Sequence, residues 1–600
     1  MKRVILSLLL VCAALSAYAV DIQSVIARPH PRLILREGDM EAVRHAVEHD
    51  AAAAKYHRQI ELAAEQFLEK PALERIKKGK RLLGVSREVL RRVSFCAYMY
   101  RYGGDIRYAR RAEQEMVAAA QFSDWNPSHF LDVGEMSAAL AIGYDWLYDV
   151  LSEESRRTII AGITEHGLMA GQGRRAQHNN WTQVCNAGLA MGAIATAESN
   201  PALAEEIIVQ SIRNFAPTRK FYAPDGIYPE GYGYWEYGTW YQVLMVESLR
   251  SAGIDTEGID RVPGFLRSAE YMDYMVAPSG RTYNFYDSGG GRNPSNPLLY
   301  WFARESGNYS VLWHERERMK RLNAKRPARN RMLSIAMLFL ARCDRSNITK
   351  PTSNFWSGNG KMPLFICRDE SAYLAAKGGS PTDSHSHMDG GSFIYEWDKL
   401  RWAVDLGSQD YLSLESKGVK LWSRGQDAQR WDVFRLSPTP HNTLTVNGKK
   451  HIYEGRVTML STFNEAGRRG GTFDLTPILF DVKRAVRTFE MNSRAEVMIT
   501  DEVTADDETC NVRWTMSTNA QVSITSRNCV LLEQNGRQLH LKLADKQCKA
   551  KISVVENTPP HDYDVANPDS RRICIDFKVP RNATRTLRVQ LCPVASTARH

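Results

Sequence analysis

The hydrophobic pattern of this 600-residue chain changes from a helical period to a strand period near residue 350. Up to Arg342 the apolar residues recur at helical spacing, as in the stretch 136–148. Beyond the polar stretch 346–361, the segments 393–397 and 401–405 instead show the period of two that is typical of strands. The sequence therefore predicts an all-helical half followed by a β half.

Local signals mark the ends of several of these predicted elements. Ser152 precedes Glu153 and Glu154, and a hydroxyl that caps the free amides followed by acidic residues predicts the start of a helix. In the β half, 447–448 and 535–536 are Asn-Gly pairs, which favour tight turns between antiparallel strands. We expect a helical domain over 20–345, a linker over 346–362 and a β domain over 363–600.

The first residues of the chain carry an export signal. Lys2 and Arg3 precede an apolar run over 4–15, and Ala-Tyr-Ala at 17–19 provides a small-residue cleavage site. This pattern predicts a signal peptide over 1–19 and a periplasmic protein, with secretion as the alternative. No later segment approaches the roughly twenty apolar residues of a spanning helix, so we expect no membrane span.

The charge of the chain constrains its partners. The formal net charge is +10, and removal of Lys2 and Arg3 still leaves a clearly basic protein. A basic surface attracts polyanions. The sequence shows neither a zinc-finger spacing nor a basic-aromatic RNA motif, so we expect an acidic polysaccharide partner and no nucleic acid. We expect a monomer or a homodimer.

Two histidines lie two residues apart at the entrance to a predicted strand. His385 and His387 are followed downstream by Asp405 and His441. A neutral imidazole can bind zinc, whereas a charged imidazole can pair with a substrate carboxylate near neutral pH. A lone His-x-His pair is nevertheless more often a surface or loop feature.

The helical half contains two further polar clusters. Asn179 and Asn180 precede an apolar helix, and their amides could donate to a carboxylate or simply cap that helix. The segment 225–238 interleaves aromatic residues, including Tyr234 and Trp235, with glycines. Such rings could form a platform for a sugar and a phenol could move a proton, although an aromatic stripe is more often part of a core.

The clusters occur together in one order along the chain. They are Asn179-Asn180-Trp181, the Pro-Glu-Gly-x-Gly-Tyr run over 229–234, His385-x-His387-x-Asp389, Val404-Asp405-x-Gly407 and His441-Asn442-Thr443. In this combination the chain resembles the heparinase II/III-like polysaccharide lyases over most of its length. The resemblance implies an incomplete α/α toroid followed by an antiparallel β-sandwich, and eliminative cleavage of a polysaccharide that contains uronic acid.

The resemblance also implies roles for particular side chains. Asn180 and His385 would hold the uronate carboxylate and stabilise the developing enolate, and Tyr234 would act as base, acid or both. Because a free phenol has a pKa near ~10, the site must lower that pKa or couple two proton transfers. The expected substrate-binding residues are Asn179, Trp181, Glu230, Trp235 and Arg435.

The resemblance further implies one structural zinc ion bound by His387, Asp405 and His441. Asp389 is the competing third ligand. Residues two apart on a regular strand share one face, so separate roles for His385 and His387 require an irregular loop or a strand start.

One departure from the family and several alternatives stay open. Trp181 stands where several family members have a histidine, so a possible proton acceptor is missing and Tyr234 carries more of the work. A heparin- or heparan sulfate-type glycosaminoglycan is the favoured substrate, and alginate or another polyuronate is the alternative. The rival classes are a toroidal glycoside hydrolase that uses carboxylates from Glu230, Glu236 and Asp287, and a non-catalytic glycan-binding protein.

Overall fold

A computed structural model describes residues 20–291, 295–465, 467–544 and 549–594. The predicted signal peptide over 1–19 lies outside these residues. The chain separates by its internal contacts into two compact units. The first, here called the helical unit, consists of Met1–Arg219, Tyr237–Arg261 and Arg321–Asp344. The second, the β unit, consists of Lys220–Glu236, Val262–Lys320 and Arg345–His600.

Helix gives way to strand where the period of the sequence changes. The last long helix ends at Ala341 and the first strand begins at Phe355. The β unit nevertheless includes two stretches, 220–236 and 262–320, that precede this change in the sequence. These stretches supply part of the candidate site described below.

The helical unit is built from a succession of α-helices. They are Ile22–Ile26, Asp39–His49, Ala51–Leu68, Leu83–Gly103, Ile106–Ala120, Leu131–Leu147, Glu153–Gly162, Asn180–Ala195, Pro201–Asn214 and Leu333–Ala341. A π-helical stretch, Ile163–Met169, continues the helix that ends at Gly162. The helix Tyr232–Ser251 begins in the β unit and continues into the helical unit.

Caps begin two of these helices as their sequences suggest. Ser152 precedes the helix Glu153–Gly162, and its hydroxyl accepts a hydrogen bond from the Ser155 amide at 3.1 Å, which confirms the predicted helix start. Asn179 plays the same part for the helix Asn180–Ala195, because its side-chain oxygen accepts from the Trp181 amide at 3.0 Å.

Two glycines bring helices of the helical unit into close contact. A Cβ atom built on Gly188 would lie 2.0 Å from the carbonyl oxygen of Gly134, and one built on Gly134 would lie 2.9 Å from Cys185 Cα. Only hydrogen atoms fit between the two backbones at this point. The helices Leu131–Leu147 and Asn180–Ala195 therefore pack more closely than larger side chains would allow.

The described residues of the β unit form three sheets, in which all the paired strands are antiparallel. The first, with strand order β1-β2-β3-β4-β5, consists of β1 (Phe355–Gly358), β2 (Leu364–Arg368), β3 (Ala372–Lys377), β4 (Phe393–Trp397) and β5 (Leu400–Ala403). The other strands are β6 (Leu444–Val446), β7 (Thr458–Glu465), β8 (Arg468–Asp474), β9 (Val482–Asn492), β10 (Val497–Ala505), β11 (Cys510–Thr518), β12 (Gln521–Ser526), β13 (Cys529–Gln534), β14 (Arg537–Leu543), β15 (Lys551–Glu556), β16 (Arg571–Val579) and β17 (Thr584–Pro593). They form an eight-stranded sheet of order β12-β13-β14-β17-β10-β9-β8-β7 and a four-stranded sheet of order β15-β16-β11-β6.

One continuous apolar core joins the three sheets of the β unit. Phe365 comes from the first sheet, Phe489 from the eight-stranded sheet and Trp514 from the four-stranded sheet, and all three are fully buried in this core. The turn between β13 and β14 is tight, as predicted, because Asn535 and Gly536 both adopt positive φ angles of 49° and 74°.

Short helices of the β unit lie at Ser268–Tyr274, Leu299–Ser306, Trp313–Lys320 and Tyr411–Glu415. Within the described residues of the whole chain, no helix combines the length and apolar character needed to cross a membrane.

Candidate active site

The loop between β3 and β4 carries both histidines of the His-x-His motif. His385 lies in the left-handed region, with φ of 56°, and its carbonyl oxygen accepts a hydrogen bond from the Asp287 amide at 3.1 Å. The pair therefore lies in irregular backbone, as separate roles for the two rings require. The ring of His385 binds Glu230, whereas the ring of His387 binds Asp287.

His385 is held on two sides by residues from the stretch 220–236. Its imidazole is stacked on the phenol ring of Tyr234, with centroids 4.0 Å apart and an interplanar angle of 12°. Its Nδ1 atom lies 2.6 Å from Glu230 Oε2. Because the carboxylate occupies Nδ1, the other ring nitrogen, Nε2, is left for a ligand.

A chain of hydrogen bonds leads away from the Tyr234 hydroxyl. The hydroxyl oxygens of Tyr234 and Tyr411 lie 2.7 Å apart, and Tyr411 donates to Asp287 Oδ2 at 2.7 Å. Since a phenol has one O–H group and that of Tyr411 donates to Asp287, the oxygen of Tyr411 accepts the hydrogen bond that the Tyr234 hydroxyl donates. The chain fixes the orientation of the Tyr234 ring.

Asp287 is the centre of this network. One carboxylate oxygen contacts His387 Nε2 at 2.9 Å, and the other accepts from Arg430 Nη2 at 3.1 Å as well as from Tyr411. Burial raises the pKa of Asp287, but the Arg430 guanidinium and the hydrogen bond with His387 outweigh burial and hold that pKa below its usual value. Asp287 is therefore an ionised anchor.

The phenol of Tyr234 is protonated at neutral pH. Burial is the main cause that raises its pKa well above the ordinary value, and the negative charge of Asp287 adds to that effect. The nearby Arg430 opposes this rise without reversing it. Of the two possibilities that the sequence left open for this residue, a lowered pKa is therefore not what the structure shows.

An exposed indole borders the same site. The side chain of Trp422 meets His385 and Tyr411 edge-on, with ring centroids 5.9 Å and 5.0 Å away. Trp422 is 48% exposed, which is unusual for so large an apolar side chain. It offers a flat apolar surface beside the catalytic candidates.

Three buried side chains form a cluster that could hold a metal ion. His387, Asp389 and His441 each offer one ligand atom, and these atoms lie within 4.8 Å of one another. His387 Nδ1, Asp389 Oδ2 and His441 Nε2 are buried, and none has a hydrogen-bond partner among the described residues. Two imidazoles and a carboxylate suit zinc, and a shared cation would satisfy three otherwise costly atoms. The residues present therefore fit a zinc ion.

The other nitrogen of each imidazole in this cluster binds a carboxylate. His441 Nδ1 lies 2.7 Å from Asp405 Oδ2, and His387 Nε2 lies 2.9 Å from Asp287 Oδ1. Carboxylates commonly orient metal-binding histidines in this way. Asp405, expected from the sequence as the third ligand, is placed in this structure behind His441, and Asp389 supplies the third atom of the cluster.

The asparagine motif belongs to the helical unit. Asn179 is occupied as a helix cap, whereas Asn180 is buried and its Oδ1 atom has no partner among the described residues. Trp181 is partly exposed and meets His129 edge-on at 5.0 Å. The amide oxygen of Asn180 is thus not used by its own helix.

Two residues that the sequence predicted to bind substrate make structural contacts instead. Trp235 is fully buried and packs on Phe302, 5.5 Å between ring centroids, so it is a core residue. Arg435 donates to Asn567 Oδ1 and to the Ser408 carbonyl oxygen, and so holds loops of the β unit together. The guanidinium of the site comes from Arg430.

Sequence reasoning missed Tyr411, Trp422 and Arg430 as members of this site. No local motif marks Tyr411 or Arg430. The one available signal is Trp422 itself, a large aromatic residue directly before the polar pair Ser423 and Arg424.

Comparisons with known proteins agree with this architecture. The family described as Heparinase II/III-like, C-terminal, matches residues 360–589. No curated protein matches the sequence. A crystal structure of heparinase III is similar with a TM-score of 0.60 and 14% identity, over 96% of this chain and 94% of that one. Heparan sulfate lyase HepC from Pedobacter heparinus is similar with a TM-score of 0.57 and 14% identity, over 96% of this chain and 93% of that one. A heparinase III with methylated lysines is similar with a TM-score of 0.58 and 13% identity, over 96% of this chain and 94% of that one.

These findings confirm the fold class predicted from the sequence, a helical region with toroid architecture followed by antiparallel sheets. They also confirm the predicted resemblance, because residues 360–589 match the heparinase II/III-like C-terminal family and the similar structures are named heparan sulfate lyase and heparinase III. Residues 360–589 thus match the Heparinase II/III-like, C-terminal family, and the chain has a fold similar to that of the solved heparinase III and heparan sulfate lyase structures.

Proposed function

We propose that this protein is a polysaccharide lyase that cleaves an acidic, uronic-acid-containing polysaccharide by β-elimination. The observation that carries the proposal is the pair formed by Tyr234 and His385, a protonated phenol stacked on an imidazole whose Nδ1 is held by Glu230. A heparin- or heparan sulfate-type glycosaminoglycan is the favoured substrate, because similar structures carry those names and this chain is basic.

The reaction needs three events at one uronate ring. The bond between C5 and its hydrogen breaks, its electron pair forms the C4–C5 double bond, and the bond from C4 to the bridging oxygen breaks. The departing oxygen gains a proton. No water is consumed, so the products are a saturated end and an unsaturated uronide.

Tyr234 is suited to move both protons. Its neutral phenol can deliver a proton to the departing C4 oxygen and regain one from C5, so that it is neutral before and after the reaction. Tyr411 and Asp287 hold the hydroxyl in place before this exchange, and the proton of Tyr234 turns from Tyr411 toward the C4 oxygen when it is transferred. Coupling the transfers avoids a free phenolate in a buried site, which would be costly beside the charge of Asp287.

His385 is suited to stabilise the carboxylate of the sugar. A carboxylate partner such as Glu230 stabilises positive charge on the ring, and Nε2 can then donate to the uronate as negative charge develops on it. Asn180 is the second expected donor to that carboxylate, a role that comes from the family resemblance. Its amide oxygen is buried without a partner in the described chain, and donation to the sugar carboxylate would come from the amide nitrogen.

The proposed zinc site is structural. His387, Asp389 and His441 would hold the ion, with Asp405 and Asp287 orienting the two imidazoles. A bound zinc ion would cross-link the loop before β4 to the loop before β6. The chemistry of elimination needs no metal-activated water.

A glycoside hydrolase is less compatible with these contacts. A hydrolase needs a carboxylic acid that is protonated near neutral pH, which requires a raised pKa. The pKa of Asp287 is instead lowered, and Glu230 is bound to His385.

We also propose export to the periplasm, on the strength of the signal sequence predicted over 1–19.

The direct test is ultraviolet detection of the conjugated product. Purified protein is incubated with heparin, heparan sulfate, chondroitin sulfate, hyaluronan and alginate. Elimination gives a rise in absorbance from the C4–C5 double bond, whereas hydrolysis gives reducing ends without that rise. A glycan-binding protein without activity would give neither.

A further inference from the structure

A groove of about 1100 Å³ lies on the outer face of the four-stranded sheet of the β unit. Arg513 and Thr515 of β11 line it, whereas Trp514 between them belongs to the core. The surrounding walls come from 431–439, from the turn at 447–450 and from 558–561. Tyr234, His385, Asp287 and Arg430 do not line this groove. It is separate from the candidate active site.

Positive side chains predominate along the groove. The basic residues that line it are Lys449, Lys450, Arg513, Lys549, Arg572 and Lys578. The acidic residues that line it are Asp432 and Asp576, which pair with Lys450 and Arg513. Within the described chain, Lys549, Arg572 and Lys578 form no ion pair with a carboxylate, so part of the positive charge is available to a ligand.

Arg572 has unused hydrogen-bonding capacity. Its guanidinium lies 5.4 Å from the centre of the Phe434 ring, and its Nη1 atom is buried without a partner in the part of the chain that the structure describes. By contrast, Arg487 in the core of the same unit donates to both oxygens of Asp501 and to backbone carbonyls. A buried N–H without an acceptor is costly, and a sulfate or carboxylate in the groove would supply one.

We propose that this groove is a second binding site for the acidic polysaccharide, which holds the polymer through its sulfate or carboxylate groups away from the site of cleavage. The identity of the polymer rests on the proposed function. Binding at a second site keeps a long chain close to the enzyme after each cut, because the second encounter becomes intramolecular.

A glycan fits the groove better than a single-stranded nucleic acid. Proteins that bind single strands combine basic grooves with aromatic rings on which bases stack. The aromatic residues that line this groove are Trp431, Phe434 and Phe577, and they are only 2%, 4% and 3% exposed. Groups that bind anions are present, but an exposed stacking surface is not offered by these residues.

The test compares two charge-matched double variants with one single variant. K549Q/K578Q removes two exposed charges from the groove, and K483Q/K542Q removes two exposed lysines elsewhere in the β unit. R572Q removes the guanidinium whose Nη1 atom has no partner among the described residues. Binding of a fluorescently labelled heparan sulfate chain is followed by anisotropy at several salt concentrations, and turnover is measured with the long polymer and with a tetrasaccharide. Thermal unfolding checks that each variant is folded.

We expect K549Q/K578Q and R572Q each to weaken binding of the long chain about three- to tenfold and to flatten its salt dependence. The control should stay within about twofold, and tetrasaccharide turnover should be unchanged in all variants. The proposal would be overturned if the folded groove variants bound the long heparan sulfate chain as tightly as the control variant does. It would also be overturned if single-stranded DNA bound as tightly as heparan sulfate and lost affinity in the groove variants. If no variant and no wild-type protein gives an unsaturated product, the proposed activity fails, while the binding comparison still decides on the groove.

Discussion

The imidazole of His385 lies flat on the phenol ring of Tyr234, with ring centroids 4.0 Å apart. Glu230 holds the edge of the same imidazole at 2.6 Å. Tyr234 and Glu230 lie four residues apart around the start of a helix, so one short segment fixes both the plane of the imidazole and the nitrogen that it presents. The backbone of His385 is left-handed, a conformation that costs a residue other than glycine about 1–3 kcal/mol.

Substitution Glu230→Gln should lower kcat by about 10- to 100-fold, because the charged hydrogen bond to His385 is worth about 1.5–3 kcal/mol. KM should change little if Glu230 acts only through the imidazole. Initial rates of product formation measure both constants. Glu490→Gln, which alters the partner of Arg468 on a distant strand pair, is the control and should leave both constants unchanged. An unaffected kcat in E230Q would show that Glu230 does not support His385.

Substitutions at the metal site can show whether Asp389 or Asp405 is the carboxylate that binds zinc. Asp389→Asn and His441→Ala should each abolish binding of zinc, whereas Asp405→Asn should weaken it by about 10- to 100-fold, since Asp405 only orients His441. Elemental analysis of purified protein after dialysis against buffered zinc gives the metal content. D576N, on the four-stranded sheet, is the control. Zinc retained in D389N and lost in D405N would instead establish Asp405 as the ligand.

Trp422→Ala should raise KM for the polysaccharide by about 3- to 10-fold, because a sugar ring loses a contact worth up to about 1.5 kcal/mol. Stability should change by less than about 0.5 kcal/mol, since the indole is largely exposed. Trp422→Phe should recover part of the lost affinity. Leu460→Ala, at another exposed apolar position, should leave KM unchanged. An unaltered KM in W422A would show that Trp422 does not contact the polysaccharide.

The close helix contact predicts a stability effect far from any chemistry. Gly188→Ala should lower the free energy of unfolding of the helical unit by about 1–3 kcal/mol, because its Cβ atom would meet the Gly134 carbonyl at 2.0 Å. Gly84→Ala lies in open space and should instead raise that free energy by up to about 1 kcal/mol. Denaturant unfolding of both variants measures the difference. A neutral G188A would show that the two helices can separate at no cost.

Local patterns predicted the elements well because local physics determines them. The strand Phe393–Trp397, the cap at Ser152 and the turn at 535–536 all depend on a few neighbouring residues. The irregular loop around His385 was also predictable, because two rings with different partners cannot share one face of a strand.

The remaining site residues come together through the tertiary fold. Asp287, Tyr411 and Arg430 are separated by more than 100 residues between the first and the last, and no local pattern links them. Trp235 is the reverse case, because the sequence placed it among the substrate-binding residues and the structure places it in the core. Neighbouring positions on a helix point in different directions, so Tyr234 can reach the site while Trp235 packs into the core, a difference that the aromatic composition of the segment does not reveal.

The most direct test of the account is the rate of unsaturated uronide formation by wild type and by Tyr234→Phe, measured by ultraviolet absorbance on heparan sulfate. Wild type should form the conjugated product. The variant keeps the ring that stacks on His385 but has no proton to transfer, so its rate should fall by about 10²- to 10⁴-fold while polymer binding persists. Full activity in Y234F, or reducing ends formed by wild type without the conjugated product, would contradict the account.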